Sequence, residues 1–345
     1  MKKLFLIIGL LVAVVAVGYV AGPRPETKLP TGTIPTVTSD LTNLDADVAR
    51  YEANFKLKPD NEARIVWADS STKQKTPYSF VYIHGYTASW GEGSPVNTNL
   101  AKQFGCNTYL ARMAGHGLDS PDAMIDLTPA EYIESAERAL SIGKQLGDKV
   151  IVMGTSMGGM LTLYLASRHP EIAGIVLYSP CIEVADPSAK LITGPWGQQI
   201  LDQVMPDKHV HNKDMAEDRK KYWYEQYHSN GIITLQTILD EYATPETFGK
   251  IKQPAFLAYY YKDEKHQDPT VSVAAMLKMY DELGTPNDLK RKEVFPDADA
   301  HVITSDLTTK SWPAVQAATV TFLTDVLKLP VATAPAPVVT RQTEK

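Results

Sequence analysis

Apolar residues occur first as one unbroken block and then as short runs alternating with segments of helical spacing. The block runs from Leu4 to Ala21, holds no charge and follows Lys2-Lys3. Its 18 residues sit at the lower edge of a spanning helix and above the usual core of a signal peptide. It reads as an uncleaved membrane anchor with its basic end cytoplasmic and the rest of the chain exported, or as a cleaved signal that leaves a secreted or periplasmic protein. Residues 1–22 are therefore set apart. Residues 23–60, rich at first in Pro, Thr and Gly, form a linker and lead-in.

The short apolar runs predict strands at Arg64–Ala68, Tyr78–Ile83, Asn107–Arg112, Val150–Met153, Ala173–Tyr178, Pro254–Tyr261 and Lys292–Phe295. Helices fall between them. Thr128, Pro129 and Glu131 spell an N-cap, a first-turn proline and a capping box, followed by Ile133, Ala136, Leu140 and Gly143 on one face. Met160, Leu161, Tyr164 and Leu165 give a further helix one apolar stripe. Val273–Leu283 and about Trp312–Leu327 complete the set. Strands alternating with helices imply an α/β fold with a mostly parallel, doubly covered sheet spanning 61–328. The rhythm breaks at about 182–249, where charged, Tyr-rich segments such as Asp218–Tyr227 predict an inserted helical cap. Residues 329–345 alternate Pro, Ala, Val and Thr and read as a disordered tail.

Composition changes this picture in two places. The 345 residues carry a net charge of −6 and no long basic run, which argues against nucleic acid as a partner. The two cysteines, Cys106 and Cys181, fall at the start of one parallel strand and past the end of another. That separates them by roughly a strand length of ~17 Å, beyond disulfide reach, so two free thiols are expected.

Candidate chemistry centres on Gly154-Thr155-Ser156-Met157-Gly158, between an apolar strand and a helix. A sharp strand-to-helix turn needs glycines around the serine so that the strained backbone closes and exposes Oγ. Ser156 is the candidate nucleophile. With His84-Gly85-Tyr86, Gly115-His116-Gly117 and Ala300-His301-Val302-Ile303, this stretch resembles the α/β-hydrolase family, in its carboxylesterase and monoacylglycerol-lipase-like branch, over roughly residues 60 to 328.

The resemblance implies the α/β-hydrolase fold and the chain order nucleophile, acid, histidine. His301 is then the base, while His84 and His116 hold loops. The acid is Asp268 or Asp263: counting from the strand start favours Asp263, and counting back from the next helix favours Asp268. Asp268 is preferred, which makes Lys262–Gln267 a short insertion. Backbone N–H groups of Tyr86 and Met157 would form the oxyanion hole. No metal and no cofactor is expected; His209 and His211 with Asp207 or Asp214 form a weak metal pattern without further ligands.

The function expected is a serine hydrolase acting on small-molecule or lipid-like acyl esters. An acyltransferase, an amidase or peptidase, or a non-catalytic binding domain would share these motifs. Trp196, Tyr222, Trp223, Tyr224 and Tyr227 either line an acyl pocket or pack the cap.

Overall fold

The computed structural model describes residues 2–25, 27–30 and 35–332. α1 (Lys2–Val20) leaves Phe5, Leu6, Leu10 and Val17 exposed. Its end meets the later cap, where the Trp196 indole N–H donates to Gly18 O at 3.1 Å and the Trp196 backbone N–H to Pro23 O at 2.7 Å. Among the described residues no helix is long and apolar enough to cross a membrane.

The lead-in is more structured than its composition implies. α2 (Leu41–Glu52), capped by the Asp40 carboxylate, places Leu44, Val48 and Glu52 at four-residue steps on one buried face. Leu44 and Val48 enter the core, and Glu52 pairs with the buried Arg112.

β1 (Arg64–Val66), β2 (Thr76–Ile83), α3 (Val96–Phe104), β3 (Asn107–Leu110), α4 (Pro129–Leu146), β4 (Gly147–Thr155), α5 (Met157–Arg168) and β5 (Gly174–Tyr178) follow. The predicted capping box starts α4, with Thr128 Oγ1 accepting from the Glu131 N–H at 3.2 Å and Glu131 Oε2 accepting from the Thr128 N–H at 3.0 Å. α5 differs from its apolar stripe. Every residue from Met157 to Ala166 is buried, because α4 and later cap-side helices cover the face that periodicity assigned to solvent.

The interruption contains α6 (Gly197–Val204), β6 (His209–His211), α7 (Glu217–Lys220), β7 (Gln226–His228), α8 (Asn230–Tyr242) and α9 (Pro245–Lys250). Asp218–Tyr227 is not one helix. Helical backbone stops at Lys220, and β7 pairs antiparallel with β6, so this all-helical expectation is corrected. The physical reason is local: Tyr222, Trp223 and Tyr224 are all buried, and three consecutive residues cannot share one helical stripe.

The second half adds β8 (Ala255–Tyr259), β9 (Tyr261–Asp263), β10 (His266–Gln267), α10 (Val273–Glu282), β11 (Lys290–Val294) and α11 (Trp312–Asp325). The seven-stranded sheet has the order β1-β3-β2-β4-β5-β8-β11; β1 is antiparallel to β3 and all other neighbours are parallel. Alternate side chains feed two cores. Val81, Ile83 and Val152 face α4 and α5, while Phe80, Tyr82, Ile151 and Met153 face α3 and α11. Cys106 precedes β3 and Cys181 follows β5; both are buried and free, as expected. At the far end Leu329 is buried and Ala332 N–H bonds Gln103 O. The rest of the tail, 333–345, lies outside the described residues.

Candidate active site

β4 delivers Ser156 to the carboxyl end of the sheet, at φ 54° and ψ −119°. A side chain at Gly158 would put its Cβ 2.0 Å from Ile83 O, and one at Gly154 would sit 2.2 Å from Gly158 O. Both positions require glycine because backbone passes directly against them. The strained Ser156 is held by its neighbours: its N–H donates to Tyr178 O at 2.9 Å, and its carbonyl accepts from Cys181, Gly159 and Met160. Such strain persists where surrounding bonds over-determine it.

His301 lies in the loop beyond β11. Its Nδ1–H donates to Asp268 Oδ2 at 2.7 Å, and the other carboxylate oxygen of Asp268 accepts the N–H groups of Thr270 and Val271 at 2.9 and 3.1 Å. Asp268 therefore cannot rotate away. Its loop is also stitched to the start of the cap through Ala185 N–H to Thr270 O and Ser272 N–H to Glu183 O. His301 Nε2 is buried and has no hydrogen-bond partner among the described residues. It shares a cavity of about 580 Å³ with Ser156. No hydrogen bond joins Ser156 Oγ to Nε2, and bonds of this kind commonly tighten only as substrate binds.

Asp263 has other partners. It is exposed and bonds the ring and backbone of His266 within the β9–β10 hairpin, which is the form taken by the Lys262–Gln267 insertion. Tyr86 lines the same cavity as Ser156 and Met157 follows it in the chain, and the N–H groups of Tyr86 and Met157 donate to no protein acceptor among the described residues. His84 Nδ1–H donates to Gly85 O at 2.8 Å while its Nε2 accepts the Met113 N–H at 3.0 Å. Burial pushes His84 down to about 4 and His116 well below the usual range, so both are neutral structural rings. His209 and His211 bond Asp122 and Asp207, and no metal-holding group of three occurs among the described residues.

A family profile described as Hydrolase_4, serine aminopeptidase, S33, matches residues 74–283, more than half of the chain. The chain belongs to this α/β-hydrolase family. This Hydrolase_4 chain is 30% identical over 193 residues to the thermostable monoacylglycerol lipase of Bacillus sp. (strain H-257), an alignment covering 56% of the chain and 72% of that relative. Its fold is similar to a structure from work on the metagenome-derived lipolytic enzymes LipS and LipT, at TM-score 0.63 and 19% identity, covering 78% of this chain and all of the other. The monoacylglycerol lipase of Paleococcus ferrophilus aligns at TM-score 0.55 and 16% identity, over 76% of this chain and 98% of that one. The Hydrolase_4 chain is thus a hydrolase with the α/β-hydrolase fold expected from its strand and helix pattern.

Two cavity residues of this hydrolase escape a reading by motif. Glu92 is buried at 1% exposure, and its Oε2 accepts the Gly85 N–H at 2.6 Å and the Tyr82 hydroxyl at 3.2 Å. Burial raises its carboxyl to about 7, against the Gly85 hydrogen bond and the nearby charge of Arg219. A charged residue flanked by Gly91 and Gly93 just after His84-Gly85 was the available signal. Arg219 had none, since it reads as one of several surface cations. Of the cap aromatics, Trp223 and Tyr227 line the cavity. Tyr222 and Tyr224 bind the sheet domain through Asp60 and through Gly115 O and Leu118 N–H, and Trp196 meets the end of α1.

Proposed function

We propose that this enzyme hydrolyses carboxylic esters through an acyl-enzyme on Ser156. As Oγ attacks the carbonyl carbon, His301 Nε2 takes its proton; Asp268 keeps the proton-bearing Nδ1 in place and stabilises the imidazolium. The N–H groups of Tyr86 and Met157 receive the oxyanion. His301 then protonates the departing alcohol, and the same ring activates the water that releases the acid. The single observation that carries this reading is the doubly anchored Asp268 bonded to His301 Nδ1, which leaves Nε2 unpartnered in the cavity that holds Ser156.

The family description names peptidases, and the same triad would open an amide. The ester reading is favoured by the lipase relative and by the apolar part of the cavity, lined by Val184, Ile232, Leu235 and Val271. These features support lipid-like acyl esters such as monoacylglycerols. We propose further that α1, with its exposed apolar side chains, seats the enzyme at a membrane surface.

The test is labelling by a fluorophosphonate together with ester turnover. Wild type should label and Ser156→Ala should not. Asp268→Asn should lower kcat by orders of magnitude, as loss of a tautomer-fixing carboxylate does, whereas Asp263→Asn should not. Folded wild-type protein that neither labels nor cleaves esters would overturn the reading.

A further inference from the structure

Arg219, Lys220 and Lys221 are three consecutive cations with different surroundings. Lys220 pairs with Glu217 at 2.8 Å and Glu225 at 3.0 Å, and Lys221 pairs with Asp60 at 2.7 Å. Arg219 has no such ion-pair partner among the described residues. Among the described residues its guanidinium makes no hydrogen bond or ion pair, and its Nε is buried without a partner. It lies 5.1 Å from the Trp223 ring centre, and both side chains line the cavity that contains Ser156 and His301.

A guanidinium is permanently charged, so holding it half-buried with its donors unused and no hydrogen-bonded counter-charge is unfavourable unless a ligand supplies one. The acids nearby are already engaged. Asp268 is taken by His301 and two backbone N–H groups, and Asp299 at the cavity wall accepts from the Tyr260 hydroxyl. Glu92 is turned to Gly85 and Tyr82; its charge and that of Arg219 act on one another, but no hydrogen bond or ion pair joins the two side chains. Trp223 supports the guanidinium by a cation–π contact, an arrangement that restricts its orientation without using its hydrogen-bond donors. A carboxylate or phosphate oxygen matches those donors in geometry and charge.

We propose that Arg219 forms an anion subsite within the acyl-transfer cavity, and that the preferred substrates are amphiphilic esters joining an apolar chain to a carboxylate or phosphate. The proposal rests on the ester-hydrolase reading above. Val184, Ile232 and Leu235 take the apolar chain and Arg219 takes the anion, which lies on either the acyl or the alcohol side of the scissile bond.

Two pairs of esters distinguish the sides. Para-nitrophenyl hexanoate is compared with the mono-para-nitrophenyl ester of hexanedioic acid, and hexanoyl glycerol with hexanoyl glycerol phosphate. In one pair the ratio of kcat/KM, anionic over neutral, should fall at least about tenfold in Arg219→Gln, the scale of a lost charge-assisted hydrogen bond. Most of the change should lie in KM, and Arg219→Lys should retain most of the ratio. A second measurement needs no variant: hexanedioate should inhibit neutral-ester turnover by wild type far more strongly than hexanediol does. Equal inhibition, or a folded and fluorophosphonate-labelled Arg219→Gln with unchanged ratios in both pairs, overturns the subsite alone. Absence of wild-type turnover on all four esters overturns the hydrolase reading and the subsite with it.

Discussion

At the residue scale, the buried Glu92 ties the stability of the fold to pH. Tyr82, Tyr132, His301 and Arg219 are the titratable or charged groups that interact with it. In the unfolded chain it titrates near 4.5, and in the fold it keeps its proton to about 7 because burial disfavours the carboxylate. Between these values the unfolded state has released a proton that the native state still holds, so stability falls as pH rises through the window and levels off above it. The loss is on the order of 3 kcal/mol. Glu92→Gln has no such titration and can still accept the Gly85 N–H. Urea midpoints measured at about pH 4.5 and about pH 8 should therefore drop more for wild type than for the variant. Parallel curves would remove Glu92 as the cause.

At the scale of elements, α4 is held at its start by reciprocal side-chain bonds between Thr128 and Glu131. Thr128→Ala should cost about 1 kcal/mol and lower the melting temperature without changing turnover, since Thr128 lies outside the catalytic cavity. The same helix marks what the sequence discloses well. Caps, short apolar runs and the glycines around Ser156 are local signals, so the seven sheet strands and α4, α5, α10 and α11 were readable from them, whereas α2 and α3 were not. The cap was not. β6, β7 and α8 owe their form to contacts with the sheet domain, including Tyr224 N–H to Thr87 O and His228 N–H to Ala123 O, whose partners are distant in sequence. The same reason hides Arg219, because a side chain aimed into a cavity has no periodicity, while Glu92 showed only through its flanking glycines. For the acid, counting from the strand favoured Asp263 and counting back from the helix favoured Asp268; the hairpin that separates their partners is a tertiary fact.

At the scale of the whole molecule, a polar-surfaced sheet domain carries one exposed apolar helix joined to it near Trp196. If α1 seats the enzyme on a bilayer, deleting 2–20 should move the protein from the pelleted membrane fraction to the supernatant. Its turnover of a short, water-soluble ester should be retained, because α1 contributes nothing to the catalytic cavity. Persistence of the truncated protein in the pellet would place membrane contact elsewhere.

Cys181 stands against Ser156, its N–H bonded to Ser156 O, and Cys106 lies at the opposite end of the sheet. Burial pushes both thiols up to about 12. Neither therefore presents a thiolate to an oxidant at neutral pH. The fold forms without a disulfide, so a thiol reductant that would weaken a disulfide-stapled protein should leave the stability of this one unchanged.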